Sequence, residues 1–163
     1  MMDQFVNAYF NLHEFGWADV CLRVFLAAAF GLFLGLDRDS KGKPVDFRVY
    51  MIVAVTTTAI AILAQEINWL YSDQENFMSL DLGKTIAGLM SGIGFLGAGA
   101  ILKINDEKVV GTATGASIWA SGGMGLCLGF GLYGLALVLF VTLALTLVVA
   151  GRIASHFTNT DQK

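Results

Sequence analysis

Polar residues are scarce in this chain, so those at the margins of its apolar runs are the first candidates for chemistry. Asp37 and Arg38 close the first run, Arg48 opens the second, Lys103 follows the third, and Thr112 and Thr114 open the fourth. A carboxylate at an apolar helix end needs a partner, and Arg48 is the expected one for Asp37. Asp37 is also the best candidate for a metal ligand, though no second carboxylate accompanies it. Thr56, Thr57, Thr58, Ser91, Ser117 and Ser121 lie deeper. They either extend a polar path inward or serve as ordinary hydrogen bonders between helices. No nucleophile, metal cluster or carboxylate pair occurs within the apolar runs, so no enzyme and no cofactor are expected.

Two stretches imitate nucleotide-binding motifs. Gly92-Ile-Gly94-Phe-Leu-Gly97 spells the dinucleotide fingerprint. That fingerprint works only between a strand and a helix, and here it sits inside one apolar run among others. Gly83-Lys84-Thr85 resembles the end of a phosphate-binding loop, but Met78 occupies the place of its first glycine. Helix packing in lipid explains the glycines better, because small residues let backbones approach where no hydrophobic drive exists. Gly31/Gly35, Gly88/Gly92, Gly111/Gly115 and Gly125/Gly129 all repeat at four-residue spacing. Gly94, Gly97 and Gly99 either share that role or leave room and free carbonyls for a ligand.

The elements that must carry these residues are membrane helices. Hydrophobic residues make up 56% of the 163 and charged residues 14%, too few charges to cover a water-facing surface. A span needs roughly 20 apolar residues to cross a core about 30 Å thick. Apolar runs start at Ala18, Phe47 and Thr85, and residues 111–151 carry no charge at all. As one helix that last stretch would reach ~60 Å, so it must fold back, and Gly129, Gly131 and Gly134 supply the turn. The expected fold is all-α and polytopic, with about five tightly packed, Gly-rich transmembrane helices. Arg38, Lys41, Lys43, Arg48, Lys103, Lys108, Arg152 and Lys163 fall on one side, eight of the ten basic residues. Cytoplasmic loops are enriched in such residues, which puts the N-terminus outside and the C-terminus inside. Arg23 and Lys84 remain on the other side, where they are expected to snorkel. Cys21 and Cys127 read as two buried thiols. The organisation expected is an interfacial segment at 1–17, a transmembrane domain at 18–152 and a cytoplasmic tail at 153–163. The net charge of -3 offers no footprint for nucleic acid.

Three blocks resemble the MgtC/SapB family of membrane proteins in order and spacing: FGLFLGLDRDSKGKPVDFRVYMIV, SGIGFLGAGAIL and VVGTATGASIWASGGMGLCLGFGLY. The likeness spans roughly Ala18 to Arg152. Asp37, Arg38, Lys43, Pro44 and Arg48 fall on the first family block, and Gly92 through Gly99 on the second. Gly111, Thr114, Ala116 and Trp119 fall on the third, which Gly129, Gly131 and Tyr133 close. Asp37 stands where the family has glutamate, and Asp46, Val49 and Tyr50 replace its Gly, Thr and His. The chain is similar to the short, SapB-type members that lack a soluble C-terminal domain. The resemblance implies a bacterial inner-membrane protein linked to growth in low magnesium, to pathogen survival in macrophages and to restraint of the F-type ATP synthase.

The resulting expectation is a regulator in magnesium homeostasis or envelope and acid stress, acting through a ligand or partner near the cytoplasmic face. Its candidate residues are Asp37, Arg38, Lys43, Arg48, Gly92, Gly94, Gly97, Gly99, Thr112, Thr114 and Trp119. A small transporter or channel for Mg²⁺ or a small anion is the alternative. The lipid bilayer, a second copy of the chain in a homodimer and a larger complex such as the ATP synthase are the expected partners.

Overall fold

The computed structural model describes residues 12, 15–42, 45–70, 81–105 and 108–160. Most of the segment expected to lie in the outer interface, including its aromatics Phe5, Tyr9 and Phe10, falls outside the described residues. So do Lys43, Pro44 and nearly all of the acidic loop after Leu70. Among the described residues five helices form: α1 (Trp17–Asp39), α2 (Phe47–Leu70), α3 (Leu82–Gly99), α4 (Thr112–Gly129) and α5 (Tyr133–Thr160). Between α3 and α4 lies an antiparallel hairpin of β1 (Leu102–Asn105) and β2 (Lys108–Val110), pairing Leu102 with Val110 and Lys103 with Val109. This stretch reads as a plain charged loop in sequence, too short and polar for a strand signal. The last helix also runs on past its apolar part, to Thr160.

Local chemistry sets the helix ends. The Asp81 carboxylate accepts from the Lys84 amide at 3.1 Å and starts α3. Asp46 does the same for α2, accepting from the Arg48 amide at 2.8 Å. Gly111 precedes α4 with φ +90, and Gly131 turns the chain between α4 and α5 with φ +72. Side chains with a Cβ avoid both conformations.

Glycines bring the helices into contact. A Cβ at Gly35 of α1 would lie 2.7 Å from the Phe47 Cα, and one at Gly31 2.8 Å from the Met51 Cα. Gly129 of α4 meets Ala61 and Thr58 of α2, while Gly97 of α3 and Gly115 of α4 press backbone to backbone. Thr58 donates to the Gly125 carbonyl and Ser121 to the Tyr50 carbonyl, each at 2.8 Å. Thr57 and Ser117 bond back to Val53 and Ala113 in their own helices. Of the two readings of the deeper hydroxyls, these four follow that of ordinary hydrogen bonders, while Thr56 and Ser91 are exposed. Ala27, Leu34, Tyr50, Ala54, Ile93, Ile118, Met124 and Leu128 make the core.

The outer surface is apolar: Phe25, Phe33, Ile52, Phe95 and Val138 all stand outward. Such a surface suits lipid, which, unlike water, imposes no cost on it. Among the described residues α1 and α2 qualify by length and apolarity as membrane spans, two rather than five. Glycine dilutes the apolar character of α3 and α4, which are 18 residues each.

At the end of the bundle away from the hairpin, Arg23 does not snorkel but is 7% exposed. It pairs with Asp19 at 2.6 Å, donates to the Gly129 carbonyl at 2.6 Å and lies over the Phe15 ring. Tyr133 donates to Asp19 at 2.6 Å, and Gln65 also donates to Gly129 at 2.8 Å. The terminal carbonyls of a helix need donors, and here a buried guanidinium supplies one, latching α1 to the turn after α4. Cys21 is exposed and Cys127 half-buried, both as free thiols, so only Cys127 approaches the buried character expected of the pair.

Candidate functional site

The first-block residues converge where α1 ends and α2 and α4 begin, at the hairpin end. Close approach of Gly31 and Gly35 to residues 47–51 carries Asp37 and Arg38 beside the first turn of α2. The Ser121 bond to the Tyr50 carbonyl pins α4 to that same turn. Contact of Gly111 with the Ala100 carbonyl, and of Gly97 with Gly115, then fixes the start of α4 and with it Thr114.

Arg38 is 6% exposed, Thr114 1% and Tyr50 0%. The Tyr50 hydroxyl faces Arg38 and Thr114 and lies within electrostatic reach of Asp37. Arg38 and Thr114 lie near enough to interact with it, yet neither meets it in good hydrogen-bond geometry. Arg38 Nε, Tyr50 OH, Thr114 Oγ1 and Asp37 Oδ2 are all buried without a hydrogen-bond partner among the described residues. An unsatisfied buried polar group costs about 1–3 kcal/mol, so four together are an arrangement that packing alone does not explain. The other Asp37 oxygen accepts from Lys41 at 2.6 Å, which leaves Asp37 half-neutralised at the rim of the cluster.

The other expected residues separate from this cluster. Arg48 does not pair with Asp37: it binds Asp46 at 2.5 Å, with its own side chain largely exposed. A carboxylate two residues away in the same turn wins because no loop has to be ordered to bring it close. Asp46 is held below the usual carboxylate range, first by that side-chain hydrogen bond and then by the Arg48 amide. Gly97 serves the contact with α4, whereas Gly92, Gly94 and Gly99 have nothing within 4 Å of where a Cβ would lie. Helix α3 is continuous through all four, so its carbonyls stay in the helix. Thr112 is exposed, and Trp119 is 50% exposed on the outer face of α4. Lys103 is exposed on β1, and Lys43 lies outside the described residues. Asp37 stands alone as a metal candidate, with no group of three His, Cys, Asp or Glu side chains among the described residues.

Tyr50 is the member of this cluster that the sequence candidates left out. Its signal was its place in the first block, two positions beyond Arg48, where this chain departs from the family pattern.

The model of the MgtC family matches residues 24–156. An uncharacterized protein of Haemophilus influenzae is 38% identical over 67% of this chain and 46% of its own length. Protein SapB of Bacillus subtilis is 33% identical over 71% of this chain and 49% of its own. A protein of Escherichia coli named putative magnesium transporter YhiD is 27% identical over 87% of this chain and 65% of its own. The chain thus spans about half the length of the first two relatives. No solved structure matches it.

Proposed function

The chain belongs to the MgtC family, multi-pass proteins of the bacterial inner membrane that are not enzymes, and from that premise we propose that it serves magnesium homeostasis through the polar cluster at its hairpin end. The observation that carries this reading is the buried group of Arg38, Tyr50 and Thr114 with its unpartnered polar atoms. All five helices cross the membrane. At 1.5 Å per residue the 18-residue α3 and α4 reach ~27 Å, close to the hydrocarbon thickness of about 30 Å. The hairpin end faces the cytoplasm, as the eight-to-two division of basic residues supports. Residues 18–152 form the membrane domain.

Two mechanisms fit this placement. Ion transport is favoured by the name of the Escherichia coli relative, putative magnesium transporter. Regulation by contact with a larger membrane complex such as the ATP synthase is favoured by Arg38, whose buried positive charge repels a bare cation. Mg²⁺ takes oxygen ligands, one or two of them carboxylate, and Asp37 is the single carboxylate at hand. Saturable Mg²⁺ uptake into liposomes holding the purified chain, abolished by Asp37→Ala, supports transport. No uptake together with poor growth of the deletion strain at low magnesium supports regulation. Wild-type growth at low magnesium and under acid stress, without uptake, refutes both.

The assembly is a homodimer, closed two-fold assemblies being the commonest. We put its contact on α3, a choice supported by Gly88, Gly92 and Gly99, which meet no neighbour among the described residues, and by Phe95, which is 81% exposed.

A further inference from the structure

We infer that the cluster of Arg38, Tyr50, Thr114 and Asp37 binds an oxyanion of the phosphoryl class that carries a hydroxyl hydrogen. The inference rests on reading this cluster as the functional site and adds the chemistry of its ligand. Three of the four unpartnered atoms are donors: Arg38 Nε–H and the hydroxyls of Tyr50 and Thr114. All three belong to side chains more than nine-tenths buried.

The backbone adds donors in the same place. Tyr50 lies in the first turn of α2, which Asp46 caps, and Thr114 in the first turn of α4, so two positive helix ends stand against the negative end of α1 here. Gly111 gives α4 no side-chain cap. Its opening amides therefore have no intrahelical acceptor, as at helix starts that hold phosphate. The charges agree: Asp37 is paired with Lys41, and the buried Arg38 guanidinium has no ion-pair partner among the described residues. A divalent cation would face a guanidinium and two helix N-termini. An anion satisfies them.

Asp37 then decides which anion. Its unpartnered Oδ2 can only accept while ionised. A fully ionised oxyanion such as sulfate would set its own oxygens against that carboxylate. Hydrogen phosphate offers a P–OH that donates to it. A phosphatidylglycerol headgroup offers the same pair of features, phosphoryl oxygens and an alcohol hydroxyl, from the membrane side. The shared chemistry is one, and its source is free phosphate or lipid.

The test uses the full chain in mild detergent, followed by intrinsic tryptophan fluorescence on heating. Sodium phosphate, sulfate, chloride and MgCl₂ are titrated at matched ionic strength. Native mass spectrometry with phosphatidylglycerol or phosphatidylcholine added forms the lipid arm. Phosphate should raise the wild-type midpoint saturably, and sulfate should do so much less. Tyr50→Phe and Thr114→Val remove hydroxyls that meet no partner in good hydrogen-bond geometry among the described residues, so each should stay near the wild-type midpoint in chloride. Each should weaken the phosphate response about tenfold or more, the loss expected for a hydrogen bond to a charged group. Asp37→Asn should bring the sulfate response up to that of phosphate. Phosphatidylglycerol adducts that depend on Tyr50 and Thr114, without a phosphate response, assign the ligand to lipid and support the inference. A Mg²⁺ response that needs Tyr50 and Thr114, with none to phosphate or phosphatidylglycerol, overturns the anion while leaving the site in place. No response to any ligand that depends on these residues overturns both.

Discussion

At the scale of single residues, burial and reach decide which charges matter. Sequence spacing paired Asp37 with Arg48, yet Arg48 reaches a nearer carboxylate, Asp46, and stays largely exposed. A cycle of Asp37→Asn and Arg48→Gln should therefore be additive in thermal midpoint, with Arg48→Gln alone nearly neutral. Coupling between the two would restore the pair expected from sequence. Asp46 titrates below its ordinary value in the fold. Its cap on α2 is therefore fully formed above the usual carboxylate range and is lost as pH falls through the lowered value. Arg23 behaves in the opposite way to an interfacial charge. Arg23→Gln removes a charged donor from the Gly129 carbonyl and the ion pair of Asp19, at a cost of about 1.5–3 kcal/mol. Thermal unfolding in detergent should show that loss beside an unmoved Arg48→Gln control.

At the scale of elements, four-residue glycine spacing announces close contact without naming the partner. Gly31 and Gly35 meet α2, Gly125 and Gly129 also meet α2, and Gly115 meets Gly97 of α3. Gly88 and Gly92, with the same spacing, have nothing among the described residues within 4 Å of where a Cβ would lie. Gly115→Leu must push α3 off α4 and should cost about 1–3 kcal/mol or more, as overpacking does. Gly92→Leu should leave the thermal midpoint of the protomer unchanged and weaken only the dimer. Native mass spectrometry separates the two effects. Dimers unaffected by Gly92→Leu would remove α3 from the two-fold contact.

At the scale of the whole molecule, an apolar exterior surrounds two polar ends with different tasks. The far end holds a latch, in which Arg23, Asp19, Tyr133 and Gln65 bond one another or the Gly129 carbonyl and a single buried polar atom, Arg23 Nε, is left over. The hairpin end holds four polar atoms that remain without partners among the described residues. Orientation can be tested with single cysteines, after Cys21 and Cys127 are replaced by alanine. A cysteine at Ser40 should be labelled only from the cytoplasmic side, and one at Leu132 only from outside. Labelling of both from one side would end the five-span topology.

The sequence by itself determined the five-helix pattern, the fold-back near Gly129–Gly131 and the family. Apolar run length, glycine spacing and motif order are properties of the chain alone. It also marked Asp37, Arg38 and Thr114, because charge and hydroxyl at the margin of an apolar run are visible without coordinates. Only the tertiary structure decided that Tyr50 joins them, that Arg48 does not and that Arg23 is buried. Each of those outcomes depends on how far one helix stands from another, and glycine contacts between helices distant in sequence set that separation.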